Sequence, residues 1–397
     1  MKKIIYLIFT ICLFSNCGSK NDATPEQEGV FIKLLGGGSS DAATEFFFND
    51  KNTIVGLGTT ESFELPNTNP SNALLFRADE FGNKTLMKGI GGIKGNAIRP
   101  TADGGMIVLS SSPTALSNDY FYLIKLKADN TIQWTKTFSP KDKNNKPLDI
   151  LNATVEQTPV GGYVVVFSSL YKTPTLNQEY VYIWGLDATG IIQREIYYGN
   201  SAVTNLTTKS RILANGDVVI AGRYNQYMRI MLSNSIAGVK WDYNLYHQDV
   251  NEIAIGNDVE IGNAGFVVAG TITRTNRESD GLVIKTNSDG KIEWQRRFGG
   301  ELNQTIRSIT KTDDGYVITG TTQVLFKGLL NDNIWVAKLN NAGEVLWQKD
   351  FGGAKDDVGL CVKITSKGYI TILGTIVYET TPMLVLIQLN PNGETKK

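Results

Sequence analysis

Histidine occurs once in the 397 residues, at His247. A single imidazole excludes metal sites built from two or three histidines and the His-Glu-x-x-His zinc-hydrolase motif. A Ser-His-Asp triad would have to use His247, and the Gly-x-Ser-x-Gly nucleophile elbow is absent. His247 therefore reads as a solvated loop residue. Cysteine is nearly as scarce, with three in all: Cys12, Cys17 and Cys361. No vicinal cysteine pair exists, and Cys361 lies in an apolar run (Leu360-Cys361-Val362) where a thiol is buried and inert. An excess of charge is also missing, since Lys+Arg and Asp+Glu both number 39, which disfavours nucleic acid and other strongly charged partners. Calcium loops of the D-x-D-x-D-G type are absent, and nothing in the sequence implies a cofactor or metal. What the chain has instead is 40 Gly, 16 Tyr and 16 Phe, the material of short strands and tight turns.

The N-terminus opens with Lys2 and Lys3, continues with an apolar run from Ile4 to Phe14, and then turns small and polar before Cys17. An eleven-residue run is too short to span a bilayer, which takes about 20 residues, so residues 1–16 read as a signal peptide. The segment Phe14-Ser15-Asn16-Cys17 resembles the looser lipobox of Bacteroidota lipoproteins, which implies that Cys17 becomes the acylated first residue. With Cys12 removed and Cys17 acylated, the mature chain is left with no internal disulfide. Residues 17–29 then form the lipidated cysteine and a polar tether, able to reach about 40 Å when extended.

Beyond the tether the sequence repeats. An aromatic or apolar residue, three intervening positions, a second apolar residue and often Gly-Gly recur seven times, from Phe31 to Leu35-Gly36-Gly37 through Trp347 to Phe351-Gly352-Gly353. A second landmark, a turn residue followed by a β-branched or aromatic run, begins at Asn52, Gly105, Gly162, Gly216, Gly265, Gly315 and Gly368, spaced 49 to 57 residues apart. With a third apolar segment ending in a Gly turn, each unit holds four strands, which is the pattern of a propeller blade. The spacing predicts an all-β, seven-bladed β-propeller over residues 30–393, with 394–397 a tail. Its first element, Val30 to Leu35, matches an outermost strand, while the last, Met383 to Leu389, matches the strand inside it. One blade is thus expected to be split between the chain ends, closed by the N-terminal strand. The recurrent Trp134, Trp241, Trp294 and Trp347 are expected to pack between blades.

The stretches Trp347-Gln348-Lys349-Asp350-Phe351-Gly352-Gly353 and Asp313-Asp314-Gly315-Tyr316-Val317-Ile318-Thr319-Gly320 resemble the repeats of Bacteroidota secreted propeller-like lipoproteins. More distantly, the blade layout is similar to that of pyrroloquinoline-quinone-type propellers. The first resemblance implies an exported architecture and brings no catalytic residues with it.

Catalytic motifs are sparse. Gly89 to Gly95 lacks the Gly-Lys-Ser/Thr of a phosphate loop, and the acidic pairs Asp313-Asp314 and Asp356-Asp357 fall in turns, where Asp bonds its own backbone. Two carboxylates converging in the axial pocket would suffice for a glycan-cleaving enzyme, and the sequence alone leaves that alternative open. The loops carry more information. On one face of the ring the turns are short; on the other the connections vary, with Glu61 to Ser71, Ser112 to Asn118, Ser139 to Asp149, Leu170 to Gln178 and Val324 to Asn331 long against almost nothing at Tyr224 to Gln226. That variable face carries Phe63, Tyr171, Lys172, Tyr198, Tyr224, Tyr246, Arg274, Arg277, Phe326 and Tyr378, residue types that anchor interfaces. The expectation is a non-enzymatic binding or scaffold module, held at the outer membrane by its lipid and facing the cell surface, with a protein partner there.

Overall fold

A computed structural model describes residues 29–63, 71–112, 120–142, 145–172, 177–199, 204–234, 238–246, 251–275 and 278–395. The residues before Gly29, His247 and Arg277 lie outside the described residues. Among the described residues all regular structure is strand, arranged as seven four-stranded antiparallel sheets, a seven-bladed β-propeller. Each blade has strands A to D from the axis outward. In the sixth these are Gln304–Thr312, Gly315–Phe326, Leu329–Asn340 and Val345–Phe351.

The middle strands are buried on both faces, so B and C read as continuous apolar runs; Val317, Ile318, Val336 and Ala337 are fully enclosed. Outer strands alternate, as in Val345–Phe351, where only every second side chain turns inward. Between blades the recurrent tryptophans pack as expected. Each sits on the C–D turn of the following blade, over a glycine in left-handed backbone: a Cβ on Gly343 (φ 78°) would come within 2.6 Å of Trp294, and one on Gly393 (φ 75°) within 2.8 Å of Trp347. The left-handed φ and the indole overhead both call for glycine there.

Ring closure follows the expected topology. The last blade consists of Val358–Ile364, Ile370–Tyr378 and Thr381–Leu389, with Phe31–Leu35 as its outer strand. Phe31 lies opposite Gln388 and Leu35 opposite Leu384. Phe31 also takes the part of the tryptophans, lying over Gly82 in the first blade's C–D turn.

Two connections expected to be loops are paired strand over part of their length. Tyr171 and Lys172 lie opposite Gln178 and Asn177, and in the sixth blade the B and C strands stay in register out to Phe326 and Leu329, turning only at Lys327-Gly328. The hairpin backbone satisfies its own hydrogen bonds, so it continues beyond the point where the body of the blade ends. The acidic turns are structural: Asp314 accepts from Lys338 and Thr312, while Asp357 accepts from Gly353 and Val377 N–H groups. Burial, with Asp356 beside it, raises the Asp357 pKa.

Candidate functional site: the axial channel and the variable face

Every A strand contains one register irregularity, at Thr44, Asn96, Leu151, Thr208, Asn257, Arg307 and Leu360. A bulge re-aims a side chain, and here it stitches blades together. Thr44 donates to Gly95 O of the next blade at 3.0 Å, Asn257 donates to Ile306 O at 2.6 Å, and Thr208 donates to Gly256 O.

The A strands enclose a cavity of about 430 Å³ on the axis, lined by five cations (Arg99, Lys209, Arg211, Arg307, Lys363) and three carboxylates (Glu45, Glu156, Asp258). All three acids are committed. Glu45 accepts from Arg99 Nη1 and from the Ile98 N–H, both at 2.6 Å, and pairs across the channel with Lys209 of the fourth blade. Arg99 Nε reaches Glu156 at 2.9 Å, and Ser210 Oγ donates to the same carboxylate at 3.3 Å. Asp258 accepts from Arg211 and Ser308 at 2.9 Å each and from the Ile309 N–H at 3.1 Å. Val362 N–H in turn donates to Ser308 Oγ. One polar network therefore touches all seven blades.

Burial by itself would raise the carboxyl pKa values, but the neighbouring cations reverse it. Glu45 is held well below the usual range by Arg99 and Lys209, and Asp258 is lowered chiefly by Arg211. Ion-paired acids with lowered pKa values are a poor source of a general acid, which has to hold its proton near working pH. Cys361 lies in the same wall, buried, with its Sγ 4.0 Å from Phe46 O. Among the described residues no group of three or more His, Cys, Asp or Glu is placed to hold a metal.

The proposed interface residues divide by blade. Tyr246 is buried, its hydroxyl donating to Glu252 and accepting from Arg297; burial and Glu252 raise its pKa. Its ring is therefore unavailable to a partner. Arg274 is tied to Asp280, Glu278 and Glu252. Tyr198 accepts from the Val239 N–H of the next blade at 2.9 Å, and Tyr224 lies under Arg229. Phe63 is half-buried against the core shared by the first and last blades. Tyr171 and Lys172 are placed by backbone alone. Of the candidates whose side chains are described, only Phe326 and Tyr378 stand open, at 40% and 48% exposure, on the hairpins of neighbouring blades six and seven. Around Phe326 the sequence reading missed Leu325, Leu329 and Leu330, which are 67%, 74% and 55% exposed. Their signal was present in the run Val324-Leu325-Phe326-Lys327-Gly328-Leu329-Leu330, too apolar for a solvated loop.

No family model and no curated protein matches the chain. Among solved structures it is similar to a protein from Lactobacillus plantarum, at TM-score 0.52 and 11% identity over 80% of this chain and 86% of that one. It is similar also to Sqt1 of Chaetomium thermophilum, at TM-score 0.50 and 9% identity over 94% and 87%. The periplasmic gluconolactonase PpgL of Pseudomonas aeruginosa aligns at TM-score 0.49 and 11% identity over 80% and 87%. At such identities the likeness concerns the propeller fold alone.

Proposed function

We propose that the protein is a non-enzymatic binding module, tethered by an acylated Cys17 to the bacterial outer membrane on its cell-surface side, that docks an envelope or surface protein on its variable face. The observation that carries this reading is the hairpin of blade six, where Leu325, Phe326, Leu329 and Leu330 present an apolar tip to solvent. Contiguous exposed apolar surface of this kind marks an interaction site. A protein occupant is favoured over the tethering bilayer by the chain's entering the ring from the other side. Gly29 lies against Tyr369 beside the A–B turn of the last blade, whereas the hairpin tip belongs to the B–C end. The described chain is thus entered at the short-turn face, opposite the hairpin tip.

Replacing Leu325, Phe326, Leu329 and Leu330 together by Ser is expected to change stability by no more than about 0.5 kcal/mol per site, as at other surface positions. The same variant should lose the proteins that co-purify with the membrane-bound wild type. Undiminished co-purification would remove the hairpin from the interface. The anchor is tested separately: Cys17→Ala should move the protein from the membrane pellet to the soluble fraction, since acylation contributes about 0.8 kcal/mol per buried CH₂. Continued sedimentation in high salt would show another attachment.

A further inference from the structure

Five cations against three carboxylates leave the axial cavity with two positive charges in surplus, in a protein whose overall charge is zero. The surplus resides in Arg307 and Lys363. Arg99, Lys209 and Arg211 each hold a carboxylate; Arg307 and Lys363 make no ion pair or hydrogen bond among the described residues. Arg307 is the one charged residue among the seven at the bulges, and the bulge turns its side chain into the open channel. It is reachable by solvent yet hemmed in by protein, and this partial desolvation lowers its pKa with no acid close by to offset it. A guanidinium that solvent reaches and that no acid compensates is free to take an anion.

We infer that the axial channel binds a small anionic molecule, its carboxylate, sulfate or phosphate group held by the Arg307 guanidinium. A guanidinium presents a planar fork of donors matched to two oxygens of an oxyanion, and low-dielectric walls concentrate the positive potential inside the cavity. The remaining wall is suited to a polar body. Asn96, Asn152 and Asn257 line the cavity beside Phe47 and Leu360. A cavity of about 430 Å³ is within the usual range for small-molecule sites and holds a molecule the size of an acidic monosaccharide. Lys363, three residues beyond the bulge of its own strand, adds to the field in the channel.

The experiment measures melting temperature and heat of binding for the full mature protein with sodium glucuronate, sulfate and inorganic phosphate at constant ionic strength, glucose being the neutral control. At least one anion should raise the melting temperature saturably below about 10 mM, and glucose should not. Arg307→Gln should weaken that anion about tenfold or more, Arg307→Lys less, and Lys363→Gln only modestly. Without ligand, Arg307→Gln should melt no lower than wild type, since it removes an unpaired cation. The pattern among the three anions separates a carboxylated sugar from a sulfate or phosphate group. Absence of saturable binding by all three, or equal binding by wild type and Arg307→Gln, would overturn the assignment. Should Arg307→Gln fail to fold, the Arg307→Lys titration and the wild-type calorimetry decide the question.

Discussion

Deleting residues 30–35 is expected to make the protein aggregate or melt at least about 10 °C lower. The segment supplies the whole outer strand of the last blade, so its loss exposes the edge of Thr381–Leu389 along its length. It also removes Leu35, buried in the core between the last and first blades, and Phe31, which covers Gly82 of the first blade. Loss of one buried leucine alone costs about 2–5 kcal/mol. The matching control is a chain starting at Gly29, which keeps the strand and should melt like the mature protein. Scanning calorimetry with light scattering reads both effects, and an unchanged midpoint for the shorter chain would contradict closure through this strand.

The second large effect is expected at Glu45. Changing it to Ala strands Lys209 and withdraws one of two acids from Arg99, inside a cavity where these chains are mostly shielded. Removing one partner of a buried pair costs about 3–5 kcal/mol, because the remaining charge is left uncompensated. At the surface the same substitution should hardly register: Glu278→Ala, removing a 62% exposed partner of Arg274, is expected to cost about 0–1 kcal/mol. Urea denaturation of the two variants tests the contrast. Acid adds a second test with a defined sign. Glu45 is held below its unfolded value of 4.5, so its contribution is complete above that pH and is lost as the pH falls toward the lower folded value. Wild type should therefore lose stability on acidification below about pH 4.5 more steeply than Glu45→Ala. Parallel pH profiles would show that the pair contributes nothing.

The architecture was legible because its signals are local and repeated. Trp347-x-x-x-Phe351-Gly-Gly records an outer strand and the glycine turn after it, and seven copies at a regular spacing leave few alternatives to a propeller. The channel was not legible for a physical reason. In Thr44-Glu45-Phe46-Phe47 or Lys209-Ser210-Arg211 the alternation of charged and other residues is the pattern of a strand with one face in water, and a sequence does not distinguish bulk solvent from a cavity on the axis. Pairing is also set by geometry across blades: Glu45 and Lys209 are 164 positions apart. The hairpins at Leu170–Gln178 and Val324–Asn331 were misread because Pro174 in the one and Lys327-Gly328 in the other are turn residues, while strand register runs out to Lys172 opposite Asn177 and to Phe326 opposite Leu329. Tyr246 was misassigned because an amphipathic ring suits a rim hydrogen bond as well as a partner's surface.

The seam of the ring has a consequence for how the chain can be cut. After Leu389 the backbone makes the same turn that leads into the outer strand of the sixth blade: Asn390 N–H bonds Glu394 O as Asn340 N–H bonds Glu344 O, and Gly393 bonds Asn390 as Gly343 bonds Asn340. In blade six the next residue is Val345, two before Trp347; in the last blade the corresponding place is held by Gly29, two before Phe31. A single peptide bond from Glu394 to Gly29 would therefore restore an ordinary blade, and the chain could be reopened in any connection on the far face. Where the polypeptide starts is a property of gene order that the ring itself does not record.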